Sequence, residues 1–132
     1  MQHININPVV KLSTDLPSTT NHAGLSAPIT ITETNYNSST QKWYRKYSDG
    51  WIEQGGYEPI SNMTNYGTVQ ISYAIEFPTT AVNVHCGIEI SGATGRDAGL
   101  HGVQAVNAQG FTFTNGDQTT VHTGIYWIAK GF

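Results

Sequence analysis

Histidine and carboxylate side chains are the groups in this chain best suited to metal or acid–base chemistry, and their spacing speaks against both. His85 and Cys86 are neighbours in an alternating apolar run, so on a strand they face opposite sides and cannot ligate one ion without a bulge. His85 and Glu89 share a face but stand about 13 Å apart at the usual strand rise. The sequence has no CxxC, no helical HxxxH and no Asp-rich calcium loop. A histidine shared about a symmetry axis is the remaining route to a metal, and no cofactor is expected. Ser91-Gly92 and Ser48-Asp49-Gly50 are not GxSxG elbows. Glycoside hydrolysis needs two carboxyls roughly 5–9.5 Å apart. Of Asp49, Glu53, Glu58, Glu76, Glu89, Asp97 and Asp117, the nearest to such a pair is Glu76 with Glu89, read as outward residues of adjacent strands. Acids on the wet face of a sheet ordinarily serve solvation, so the chain is expected to have no catalytic residue.

Binding chemistry is better represented. Residues 57–67 hold two tyrosines, a methionine and two asparagines, and tyrosine joins a flat apolar body to a polar tip that suits a sugar ring. Residues 91–102 are Gly-rich without phosphate-loop spacing and place Arg96, Asp97 and His101 in one short span. Loops carried by a rigid β scaffold are where recognition residues concentrate. Ligand contact is therefore expected at Tyr57, Tyr66, Arg96, Asp97 and His101, on loops and not on a strand face. The competing readings are a solvated loop with a local Arg96–Asp97 contact, and tyrosines that cap a sheet edge or an intersubunit seam.

These loops need strands to hold them, and the hydrophobic period supplies strands. Val69, Ile71, Tyr73, Ile75 and Phe77 alternate with polar residues, as do Val82, Val84, Cys86, Ile88 and Ile90. Except for Phe77, which continues the first alternation, all are expected to face a core or closed interface. Shorter strands are expected over 103–107 and 111–114, with Asn115-Gly116 as a hairpin signal. A last strand over 119–130 puts Val121, Thr123, Ile125, Trp127 and Ala129 on one face, with His122, Tyr126 and Ile128 on the other. Residues 1–40 are Thr/Ser/Asn/Pro-rich and read as a shaft-proximal or linker segment with a short strand over 28–33. Residues 41–132 read as one all-β domain, a small antiparallel β-sandwich. Aromatic surface at Tyr44, Trp51, Tyr126 and Trp127 exceeds what so small a domain buries, which points to association.

Composition excludes several classes. Only 11% of the residues are charged, against about 25% in ordinary domains. The net charge of −3 and 6 Lys+Arg leave no basic stripe for nucleic acid or an anionic membrane. The single cysteine, Cys86, rules out an intramolecular disulfide framework. No apolar run approaches the ~20 residues of a membrane-spanning helix, and residues 1–10 do not read as a signal peptide.

Residues 43–56 read as a complete hairpin: aromatic flanks about Asp49-Gly50, where the turn calls for the positive φ that glycine accepts. The string YRKYSDGWIEQGG resembles the opening hairpin of the C-terminal domain of bacteriophage and prophage tail fibres. The resemblance continues through Phe77-Pro78 to the closing Trp127-Ile128-Ala129-Lys130-Gly131-Phe132, over the last two-thirds of the chain. It implies a homotrimer at the distal end of a virion fibre, joined to an upstream shaft and adsorbing to a bacterial surface polysaccharide such as lipopolysaccharide. The first forty residues match nothing in that pattern, and residues 1–132 read as a piece of something longer. The alternatives are a carbohydrate-binding module of a secreted enzyme, monomeric with an aromatic platform, and a glycan-degrading fibre domain.

Overall fold

A computed structural model describes residues 28–60, 67–80, 83–90, 101–116 and 122–132. Alternating apolar residues and turn chemistry give β1 (Ile31–Asn37), β2 (Lys42–Tyr47), β3 (Ile52–Pro59), β4 (Thr68–Ser72), β5 (Asn83–Ile90), β6 (His101–Gln104), β7 (Gly110–Asn115) and β8 (His122–Gly131). A five-stranded sheet runs β1-β2-β3-β8-β5 and a three-stranded sheet runs β4-β7-β6, with every pairing antiparallel. The described residues contain no helix.

The β2–β3 hairpin forms where the sequence places it. Gly50 adopts φ +88°, the Asp49 carboxylate accepts from the Trp51 amide at 3.1 Å, and the Tyr47 amide donates to the Trp51 carbonyl at 2.9 Å. The Trp51 ring meets Phe132 edge-on at 5.0 Å, which ties the turn to the C-terminus. β1 lies within the expected shaft-proximal segment and runs further than the 28–33 strand. It pairs with β2 as the sheet edge, and the Asn37 side chain accepts from the Ser39 and Thr40 amides to close the turn.

One core joins the two sheets. Ile52 of β3 and Ile125, Trp127 and Ala129 of β8 pack with Ile71 of β4 and Phe111 and Phe113 of β7, together with Ile60, Tyr73 and Phe77. Trp127 sits at the centre, its ring 5.6 Å from Tyr73 and 6.0 Å from Phe111. Val69, Ile75, Val84, Cys86 and Ile88 pack against this cluster from its margin. Val82 and Val121 lie outside the described residues.

Four readings need correction. The run from Val69 to Phe77 is not one strand: β4 stops at Ser72 and the chain bends at Ala74 and Ile75. The buried Gln54 side chain takes over from the ladder there, accepting from the Ile75 amide at 3.0 Å and donating to its carbonyl at 2.9 Å. Tyr73 and Phe77 stay buried without strand geometry, which is why the alternation misled. Ile90 is 38% exposed, because a register irregularity between Glu89 and Ile90 breaks the alternation at the end of β5. Asn115-Gly116 closes no hairpin, since β7 and β8 belong to different sheets. For the same reason Glu76, just beyond β4, and Glu89 of β5 are not on adjacent strands.

Candidate functional site

The register that buries Trp127 also builds the opposite face of the large sheet. With Ile125, Trp127 and Ala129 inward, Tyr126 and Ile128 must point outward. Tyr36, Trp43, Gly55, Ile128 and His85 are successive cross-strand partners, forming one row across all five strands. Tyr57, Tyr126 and Gly87 form the next row. On the other flank Thr34, Arg45, Glu53, Lys130 and Asn83 make a polar row.

Between these rows lies a concavity of about 550 Å³ whose walls include Tyr36, Trp43, Tyr57, His85, Tyr126 and Ile128. Tyr36 is 63%, Tyr126 55% and Ile128 42% exposed, so three of the large exposed hydrophobics among the described residues meet here. Two rings lie down on glycines: a Cβ on Gly55 would come 3.0 Å from the Trp43 ring, and one on Gly124 would come 2.2 Å from the Tyr57 ring. The Tyr57 and Tyr126 rings are 4.8 Å apart. Glu89 stands behind this pair. Its carboxylate accepts from the Tyr126 hydroxyl at 3.4 Å, and a hydrogen bond to the same carboxylate raises the Tyr57 phenol above its ordinary pKa. The Tyr57 hydroxyl also lies 3.4 Å from the Thr123 carbonyl. At the polar end the Arg45 guanidinium sits 5.7 Å from the Trp43 ring, and Glu53 accepts from the Tyr47 hydroxyl and the Trp51 indole while Lys130 stands 3.8 Å away. Stacking on flat C–H surface and hydrogen bonding from ring tips are what this arrangement offers a ligand.

Two of the five expected contact residues are described, and they lie in different sheets. Tyr57 is in the trough, but as a residue of β3 facing outward and not on a loop. His101 is an exposed residue of β6 in the other sheet, its ring stacked on Phe113 at 5.7 Å. Tyr66, Arg96 and Asp97 lie outside the described residues. Tyr36, Trp43 and His85 were missed as a group because only cross-strand register brings them together. The available signal was the turn after Asn37, which sets Tyr36 opposite Trp43. Of the rings taken as surplus surface, Trp127 is 2% exposed, Trp51 packs on Phe132 and the Tyr44 hydroxyl donates to Glu33, so Tyr126 alone remains in an exposed cluster. Among the described residues no group of three or more His, Cys, Asp or Glu is placed to hold a metal ion.

The family described as "Putative tail fiber protein gp53-like, C-terminal" matches residues 45–132. The N-truncated R1-type pyocin tail fibre is similar in fold, with a TM-score of 0.56 at 16% identity, over 99% of this chain and 100% of that one. The N-truncated R2-type pyocin tail fibre gives 0.58 at 20% identity over 83% of this chain, and so does a C-terminal fragment of the P. aeruginosa R2 pyocin fibre. The matched region spans 40% and 27% of those two chains. No curated protein matches the sequence.

Proposed function

The chain belongs to the gp53-like family of tail fibre C-terminal domains, and from that premise we propose that it is the receptor-binding tip of a phage-type tail fibre, adsorbing to a glycan on the bacterial surface. The family match over residues 45–132, which takes in β3 to β8 and the second half of β2, carries this reading. In it, the two sheets stack as a small sandwich, three copies associate about the fibre axis behind an upstream shaft, and the assembly sits at the distal end of the virion fibre. Association rests on the fibre context, since most of the rings first taken as surplus are accounted for within the chain.

Adhesion fits the geometry better than catalysis. The trough's lining contains no Asp or Glu, whereas glycoside hydrolysis requires a pair of carboxylates. A carbohydrate-binding module would also present an aromatic sheet face, but as a monomer. Light scattering on the full chain separates the two: a trimer mass is expected, and a monomer at micromolar concentration would remove the trimeric tip. For the receptor, labelled protein is applied to a panel of bacterial strains. Adsorption should survive protease treatment of the cells and fall after periodate oxidation of their surface sugars; the opposite pattern would replace the glycan with a protein receptor.

A further inference from the structure

Resting on the glycan-adsorption reading, we propose that the trough on the outer face of the five-stranded sheet seats one uncharged pyranose ring of the receptor, laid against the Trp43 and Tyr126 rings and hydrogen-bonded by His85 and by Gln41, which also lines the hollow. A hollow of about 550 Å³ falls in the size range of small-ligand sites, roughly 300–1,000 Å³. Its rings are set before any ligand arrives. Trp43 lies closely on Gly55, Tyr57 covers Gly124 with no room left for a Cβ, and Tyr57 in turn supports Tyr126. Preset rings lower the ordering cost of binding.

Charge selects the class of sugar. No lysine, arginine, aspartate or glutamate is among the lining residues, and the nearby carboxylate of Glu89 is engaged by the tyrosines. A uronic acid or phosphorylated sugar would meet that carboxylate with no cation in the lining to offset it. A neutral hexose or N-acetylhexosamine meets rings, an imidazole, an amide and hydroxyl tips. A second copy of the chain is a poorer occupant. A flush protein face would leave the hollow void, and the other large exposed hydrophobics among the described residues, Ile31 and Ile90, are single aliphatic side chains, not an aromatic wedge.

The test uses the full chain, ¹⁵N-labelled, with the indole N–H signal of Trp43 assigned by Trp43→Phe. Methyl glycosides of glucose, galactose, mannose and N-acetylglucosamine, and of glucuronic acid as the anionic probe, are titrated at millimolar concentration. At least one neutral glycoside should shift the Trp43 signal and leave those of Trp51 and Trp127 in place. Tyr126→Ala should weaken that binding about tenfold, equivalent to ~1.4 kcal/mol. Gly124→Ala, which displaces Tyr57 without removing a ring, should weaken it less. If no neutral glycoside moves Trp43 while cells still adsorb the protein through their glycans, the trough assignment fails and the fibre-tip reading stands. Failure of glycan-dependent adsorption removes both. Tighter binding of the glucuronoside overturns the assignment to an uncharged sugar, and a fall in assembly mass with Tyr126→Ala makes the trough an intersubunit seam.

Discussion

The two faces of the five-stranded sheet are built from the same strands in alternating residues, yet they solve opposite problems. On the inner face Ile52, Ile125, Trp127 and Ala129 are buried against the second sheet, and the buried side-chain amide of Gln54 is satisfied by the Ile75 backbone. On the outer face Tyr36, Tyr126 and Ile128 remain open, while the rings of Trp43 and Tyr57 are pinned over glycines. Stability should therefore depend on the inner face and binding on the outer one.

The largest effects should come from the inner face. Trp127→Ala removes the ring that contacts both Tyr73 and Phe111 and should cost about 3–5 kcal/mol, as large-to-small core changes do. That is much of a typical domain's ~5–15 kcal/mol stability, so thermal melting should show an unfolded or barely folded chain. Gln54→Leu keeps most of the volume but leaves the Ile75 amide and carbonyl without their partner. It should cost ~2–4 kcal/mol in chemical denaturation. A neutral result would mean that water replaces the amide and that the bend at Ile75 is held by something else.

Titration probes the same face less severely. Burial pushes the Cys86 thiol up to about 11 from 9.0 and the Tyr73 phenol up to about 12 from 10.0, and the Tyr73 hydroxyl has no hydrogen-bond partner among the described residues. Both groups hold their protons more tightly folded than unfolded, so their contribution is complete below the unfolded values and is lost as pH rises. Denaturation midpoints should fall between pH 9.0 and about 11 through Cys86, and between 10.0 and about 12 through Tyr73. Cys86→Ala should flatten the first part of that decline. An unchanged slope would place the thiol in contact with water.

The contrast between the faces also explains what the sequence disclosed. Alternation alone identified Ile71, Val84, Ile88, Ile125 and Ala129 as inward, because burial on one face leaves a period of two. It wrongly carried one strand through Ile75, where a side-chain amide replaces the strand ladder, and wrongly turned Ile90 inward, where the register shifts. The trough was harder to read, since Tyr36, Trp43, His85 and Tyr126 span ninety residues and meet only through the β1-β2-β3-β8-β5 order. That order inserts the C-terminal strand between β3 and β5, and no local turn signal announces it. Loop composition drew attention to residues 57–67 and 91–102 instead, and of the two expected contact residues described there Tyr57 lines the trough while His101 lies in the other sheet.

The smallest effect on folding should come from Tyr36, and that makes it the sharpest probe of the division between the faces. It stands on the edge strand at the far end of the aromatic row, 63% exposed, with its backbone paired to Trp43. Tyr36→Ala removes one wall of the trough and leaves that pairing in place. Stability should change by about 0.5 kcal/mol or less, as surface substitutions do, while glycan-dependent adsorption weakens. Equal adsorption by Tyr36→Ala and the parent chain would confine the binding surface to β2, β3, β8 and β5. A stability loss comparable to that of Gln54→Leu would instead show that the outer face helps hold the sheet together, and the separation of folding from binding would not survive.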